Sequence, residues 1–295
     1  MRALVWTAPY ESVVRDEPEP APDPESVVLD VVAAGVCGSD LHGYRGHSPQ
    51  RVAPLILGHE VVARDADGAR YVVNPLIGCG DCAACRAGSP NLCPRRGLLG
   101  MDRPGAFAEK VSVPEANLSP LPAGVSPVAG TLVEPLAAPI NALRGTQLGE
   151  GSVVVVIGCG PIGLLAIRAA RRHGASTIAA YDLDADRADR AGSTADITGS
   201  SPEDVRAALR RAGATAGADV VIDAAGAGPT WRASIELVKP GGTVAAIGLA
   251  AALDLLADEP AVPDWVTEAD LGEGPELLRE LSDQRGPIKA VFVRT

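Results

Sequence analysis

Four cysteines within fifteen residues, Cys79-x2-Cys82-x2-Cys85-x7-Cys93, form the densest group of reactive side chains in this sequence. Gly78, Gly80 and Gly88 let the backbone wrap tightly there, so four sulfurs can surround one tetrahedral ion. That pattern reads as a closed structural zinc site, with no open position for a substrate. Disulfide pairing and four-thiolate iron are the alternatives on the same residues. A second, less local set holds Cys37, in Gly35-Val36-Cys37-Gly38-Ser39-Asp40-Leu41-His42, and His59, in Leu57-Gly58-His59-Glu60. By themselves these two are a poor argument for a metal, since a lone cysteine is usually a small buried hydrophobe and a lone histidine often just a hydrogen-bonded one.

The third chemical motif is Gly158-Cys159-Gly160-Pro161-Ile162-Gly163, a G-x-G-x-x-G. It follows the β-branched run Val153–Ile157 and opens a helical pattern, the context that gives such a motif meaning. The glycines allow a tight turn and close approach of backbone to a pyrophosphate, and a helix start offers unpaired N–H groups to it. Asp182 ends the next strand, nineteen positions after Gly163, where its carboxylate can bind ribose hydroxyls and repel a 2′-phosphate. The pattern therefore favours NAD; Arg187 keeps NADP open as the less favoured cofactor, because a nearby arginine can accommodate a phosphate.

Two kinds of periodicity must position these groups. Up to about residue 133 the chain shows short β-like runs between Pro- and Gly-rich turns: Ala3–Trp6, Ser26–Ala33, Val61–Ala63, Tyr71–Val73 and Ala106–Val113. This predicts an irregular β domain. From about residue 136 strands alternate with helices: strand Val153–Ile157, helix 162–173 closed by Gly174, strand 177–181, helix 185–191, strand 195–198, helix 202–212, strand 219–223, helix 229–238 and strand 243–247. Such alternation predicts a parallel sheet with helices on both faces, giving an α/β fold. Leu277–Leu281 reads as helical and Ile288–Val293 as a strand, while the acidic, proline-bearing stretch 254–275 gives no assignment.

The 295 residues are 46% hydrophobic, enough for two ordinary domains with real cores. A formal net charge of −11 argues against nucleic acid and anionic membrane as partners. The N-terminus lacks the long apolar region of a secretory signal, and glycines and Pro161 break the longest apolar run, so a cytoplasmic protein is expected.

Taken together, GVCGSDLH at 35–42, GHE at 58–60, the four-cysteine lobe, GAFAEKVSVP at 105–114, VEPLA at 133–137 and GCGPIG at 158–163 resemble the zinc-containing medium-chain dehydrogenase family, especially its sorbitol, threonine and related polyol dehydrogenase branch. The resemblance implies a GroES-like catalytic domain over 1–135, a Rossmann domain over 136–271 and a segment from 272 to 295 returning to the catalytic domain. It implies two Zn2+ per chain, one in the lobe and one at Cys37, His59 and Glu134, with Glu60 exchanging in or orienting the site. It makes Ser39 the acceptor of the alcohol proton, His42 the next member of that relay, and Asp40 the carboxylate that positions a metal ligand; turn chemistry is the plainer reading of these three. The implied reaction lowers the pKa of a substrate hydroxyl at zinc and passes hydride from the carbinol carbon to the nicotinamide, or the reverse with a ketone or aldehyde.

The sequence departs from that family in a shorter stretch after Glu60 and in a much shorter region after Gly248. The latter leaves the last strand of the nucleotide-binding sheet, and with it the usual dimer edge, in question, although a homo-oligomer stays open. Three readings follow: an NAD-linked dehydrogenase of secondary alcohols in polyols, sugars or cyclitols, a zinc- and nucleotide-binding protein impaired in catalysis, or a zinc-free quinone reductase of the same superfamily, against which the complete ligand set argues.

Overall fold

Val153–Ile157 is a run of β-branched residues with no polar side chain, as a strand covered on both faces requires. In the computed structural model, which describes residues 1–21, 25–245, 264–283, 287 and 289–293, this strand is the centre of a five-stranded, wholly parallel sheet. The strand order is Ile197–Gly199, Thr177–Tyr181, Val153–Ile157, Ala218–Asp223, Val238–Ala245. Helix Pro161–Arg172 buries Leu164, Leu165, Ile167 and Ala170 and stops at Gly174, whose φ of 94° suits only glycine. Asp184 caps helix Ala185–Ala191 by accepting from the N–H groups of Asp186 and Arg187, and Ser201 caps helix Pro202–Arg211 by accepting from Asp204 N. These elements lie within a residue or two of the periodicity's expectation. The last strand begins earlier than expected, at Val238, with a register shift before Val220 pairs with Thr243; residues 246 and 247 lie outside the described residues.

The chain divides into two compact units, Met1–Val133 with Glu259–Thr295, and Glu134–Asp258. The first is built on a seven-stranded sheet ordered Leu118–Pro120, Arg70–Val73, Glu60–Arg64, Ser26–Gly35, Lys289–Val293, Val266–Ala269, with Lys110–Pro114 also paired to Ser26–Gly35. Glu11–Asp16, Arg2–Ala8 and Leu55–Ile56 make a second, three-stranded sheet. All pairings in these two sheets are antiparallel except Val266–Ala269 with Lys289–Val293, which are parallel.

Three elements of this unit differ from the expectation. The run Ala106–Val113 becomes a strand only over Lys110–Pro114, because the N–H groups of Gly105, Ala106 and Phe107 bond to the Ile56, Gly58 and Leu57 carbonyls of the segment before His59. The return to the first unit comes before residue 272: Val266–Ala269 already pairs with the closing strand, a contact between distant segments that the acidic stretch did not advertise. Helix Gly38–Tyr44 stands where turn chemistry is the plainer reading of Ser39, Asp40 and His42. The expectation about the sheet edge after Gly248 falls on 246–263, outside the described residues.

Phe107 is wholly buried, its ring edge-on to Phe292 at a centroid distance of 5.0 Å. Gly58, at φ 94°, lies so close that a Cβ there would stand 2.6 Å from Phe107 Cε1. Phe107→Ala is expected to cost about 3–5 kcal/mol, read as a lower urea midpoint for the first unit.

Candidate active site

Residue pattern places Cys37 and His59 on separate segments, and the sheet brings them together. Ser26–Gly35 runs antiparallel to Glu60–Arg64 with Gly35 directly opposite Glu60. Cys37 therefore leaves the end of one strand as His59 enters its neighbour. The potential ligand atoms of Cys37, His59 and Glu60 all lie within 4.8 Å of one another, with His59 and Glu60 buried and Cys37 half-buried. Glu134, the other expected ligand, stands in the first turn of helix Val133–Arg144 and is the first residue of the second unit.

Asp40 organises this cluster. It is fully buried on the first turn of helix Gly38–Tyr44, and its Oδ2 accepts from Cys37 N at 3.0 Å, closing the helix start. Its Oδ1 accepts from Gly58 N at 3.3 Å and faces His59 Nδ1 at 3.3 Å, an ion-pair distance without hydrogen-bond alignment. Asp40 thus closes the helix start and lies beside both Cys37 and His59. Burial works to raise the Asp40 carboxyl, but His59, the Cys37 N–H and Arg51 outweigh it and hold it below the ordinary value. Burial likewise works to lower His59, yet Asp40, aided by Cys37, holds it well above the ordinary imidazole value. With Nδ1 turned to Asp40, Nε2 faces Ser39 Oγ at 3.5 Å. His42 is exposed on the same short helix, and its backbone carbonyl accepts from His47 N at 2.9 Å.

Sequence reading missed Lys289. The closing strand brings it, 98% buried, against the fully buried Glu60: Nζ pairs with Glu60 Oε2 and donates to the Val36 carbonyl at 3.0 Å. Only glycine fits opposite, because a Cβ on Gly35 would collide with that same Glu60 oxygen. Glu60 Oε1 is buried with no hydrogen-bond partner. A lysine near a chain end carries no local signal of such a partner; pairing it with Glu60 requires the sheet.

A divalent cation fits these residues: a thiol, an imidazole whose far nitrogen is backed by a carboxylate, and a buried carboxylate oxygen left unpartnered. The four lobe cysteines fit one equally. All six cysteines are free thiols, so the disulfide alternative does not hold. Thiolates about 2.3 Å from one tetrahedral ion stand roughly 3.8 Å apart; Cys79 and Cys85 sulfurs are 4.0 Å apart, and all four lie within 4.8 Å. Backbone N–H groups of Cys79 and Arg95 donate to Cys93 Sγ, chiefly the former holding that thiol below its ordinary pKa, whereas burial pushes Cys85 up to about 11.

In the second unit Gly158, at φ 90°, and Gly160 lead into the helix that starts at Pro161 and Ile162, with no side chain capping its first turn. A Cβ on Gly163 would collide with the Gly158 carbonyl, which accounts for the third glycine of the motif. Asp182 Oδ2 accepts from Cys159 N at 2.8 Å and Oδ1 from Asp184 N at 2.9 Å, tying the loop to the end of the second strand. Arg187 lies 3.8 Å from Asp184, both largely exposed. Cys159 is buried and its thiol pushed up to about 12, by burial first and then Asp182.

This combination, a GroES-like β unit bearing two metal-type clusters and a parallel nucleotide-type sheet, is that of an alcohol-dehydrogenase-class oxidoreductase. The alcohol dehydrogenase GroES-like domain profile matches residues 23–123, and the zinc-binding dehydrogenase profile matches residues 161–262. A sorbitol dehydrogenase from Halalkalibacterium halodurans is 36% identical over 265 residues, covering 84% of this chain and 77% of that one. The alcohol dehydrogenase TADH from Thermus sp. ATN1 superposes with a TM-score of 0.88 at 31% identity, covering 99% of both chains. A dehydrogenase structure from Sinorhizobium meliloti 1021 bound to NADP gives 0.86 at 29%, again covering 99% of both. The chain belongs to the zinc-containing medium-chain dehydrogenase/reductase family, in its sorbitol-dehydrogenase-like branch. Among the described residues no helix is long and apolar enough to cross a membrane.

The Lys289–Glu60 pair makes a checkable claim. Lys289→Met strands a buried carboxylate and is expected to cost about 3–5 kcal/mol in urea unfolding, with most of it recovered when Glu60→Gln is added.

Proposed function

We propose that this protein is a zinc-dependent dehydrogenase that oxidises a secondary alcohol of a polyol, sugar or cyclitol-like substrate with NAD, or reduces the matching ketone. The observation that carries the reading is the convergence of Cys37, His59 and Glu60, all within 4.8 Å, beside Ser39. Cys37 and His59 would hold the reactive zinc, with a carboxylate from Glu60 or Glu134 completing the protein ligands; Cys79, Cys82, Cys85 and Cys93 would hold the structural one. Bound zinc supplies Lewis acidity toward the substrate hydroxyl, and bound NAD supplies the hydride acceptor.

The chain's own residues do the rest. Asp40 fixes the His59 ring and the Cys37 backbone, so the two ligands keep their relative placement. Ser39 Oγ, next to His59 Nε2, takes the substrate's hydroxyl proton, and exposed His42 passes it to water. In the second unit the Gly158–Gly163 turn and the uncapped start of its helix receive the pyrophosphate. Asp182, already oriented by the Cys159 and Asp184 N–H groups, accepts from the adenosine ribose and disfavours a 2′-phosphate. Arg187 pairs with Asp184, which supports NAD over NADP, while the NADP-bound relative makes the cofactor the point to test.

Elemental analysis of the purified protein is expected to give two zincs per chain, falling to one in Cys37→Ala. One zinc, unchanged by that substitution, would refute the reactive site and leave a nucleotide-binding protein with a structural lobe. For the cofactor, Asp182→Ser is expected to weaken NAD binding roughly 10- to 100-fold and to raise NADP use; wild type that prefers NADP would refute the assignment.

A further inference from the structure

Two lysine or arginine side chains are buried among the described residues. Lys289 is matched by Glu60. The other, Arg51, plays no part in the chemistry above; two of its guanidinium nitrogens are hydrogen-bonded and the third faces Asp40. Nε donates to the Gly100 carbonyl at 2.8 Å and Nη1 to Ser48 Oγ at 3.3 Å. Nη2 is buried with no hydrogen-bond partner and lies 3.6 Å from Asp40 Oδ1. Side-chain exposure is 1% for Arg51 and 0% for Asp40, so water does not screen this pair.

The surroundings are shaped to hold the fork. Arg51 lies across Gly43 on the helix that carries Ser39 and Asp40; a Cβ at Gly43 would stand 2.6 Å from Arg51 Cδ and 3.3 Å from Cζ. Gly100, its carbonyl anchor, follows strand Gly97–Leu98, which pairs with Leu76–Ile77 just before Cys79. Gly100 also presses on the backbone before His59, where its Cβ would stand 2.7 Å from Gly58 N. The arginine thus spans from the base of the four-cysteine lobe to the carboxylate that holds Cys37 and His59.

We propose that Arg51 is a positioning residue of the open metal site, anchored on the Gly100 carbonyl at the base of the lobe and acting through Asp40 on Cys37 and His59. The inference rests on the metal reading of Cys37, His59 and Glu60. A planar guanidinium is needed for it: its fork can bond Gly100 and Ser48 while presenting the third nitrogen to Asp40, whereas a lysine is a single point charge and cannot do both.

The test uses the full-length protein carrying Co2+ at the open site and zinc in the lobe, with Arg51→Lys and Arg51→Met as variants. The thiolate-to-cobalt absorption of Cys37 is titrated with a chelator, and lobe zinc and thermal unfolding are followed in the same samples. Both variants are expected to bind Co2+ about 10- to 100-fold more weakly than wild type while keeping the lobe zinc. If Arg51→Met does not fold, Arg51→Lys alone decides. Wild-type Co2+ affinity in Arg51→Lys overturns the proposal and leaves the metal reading standing, as does parallel loss of metal from both sites. A wild type that holds only the lobe metal refutes the metal reading and this inference with it.

Discussion

The buried carboxylate of Asp40 is the fixed point around which the first unit is arranged. A carboxylate without water must be met by donors and positive charge, or it becomes neutral. Here the donors are the backbone N–H groups of Cys37 and Gly58, each one residue or less from a proposed metal ligand, and the facing groups are His59 and Arg51. Satisfying one anion therefore fixes two segments whose donors lie twenty-one residues apart in sequence. The same carboxylate closes the start of helix Gly38–Tyr44, so the helix that presents Ser39 and His42 is set by the interaction that places Cys37 and His59.

Behind the cluster lies a second buried charge pair, Glu60 with Lys289. It costs desolvation on both sides, and it joins the first half of the chain to the closing strand, Lys289–Val293, which pairs with Ser26–Gly35. The absence of a side chain at Gly35 makes room for it. One carboxylate oxygen is thereby held by lysine and the other left without a protein partner, a split suited to a residue that can turn toward a cation.

The nucleotide-type unit works by a different economy. Its geometry is mostly backbone: glycines at 158, 160 and 163, an uncapped helix start, and parallel strands buried on both faces. Asp182 does for its loop what Asp40 does for the metal cluster, accepting from Cys159 N so that the turn and the acidic strand end form one piece. Cys159 sits inside that turn as a buried thiol raised to about 12, which keeps it protonated and unreactive.

Local sequence alone determined much of this protein, wherever the physics is local. The strand Val153–Ile157, the glycine turn, Asp182 at the next strand end and the capped helices behind it follow from side-chain periodicity and φ requirements within a few residues. The four-cysteine lobe is likewise legible, because its four thiols lie within one short loop. Resemblance to a family, and not spacing, pointed to Cys37, His59 and Asp40. Tertiary structure alone decided the rest: that Gly35 faces Glu60, that Lys289 neutralises that glutamate, that Arg51 reaches both Gly100 and Asp40, and that Val266–Ala269 joins the first unit. Each depends on strand register or on burial of charge between distant segments, and a buried lysine or arginine looks in sequence like any exposed one until its partner is brought beside it.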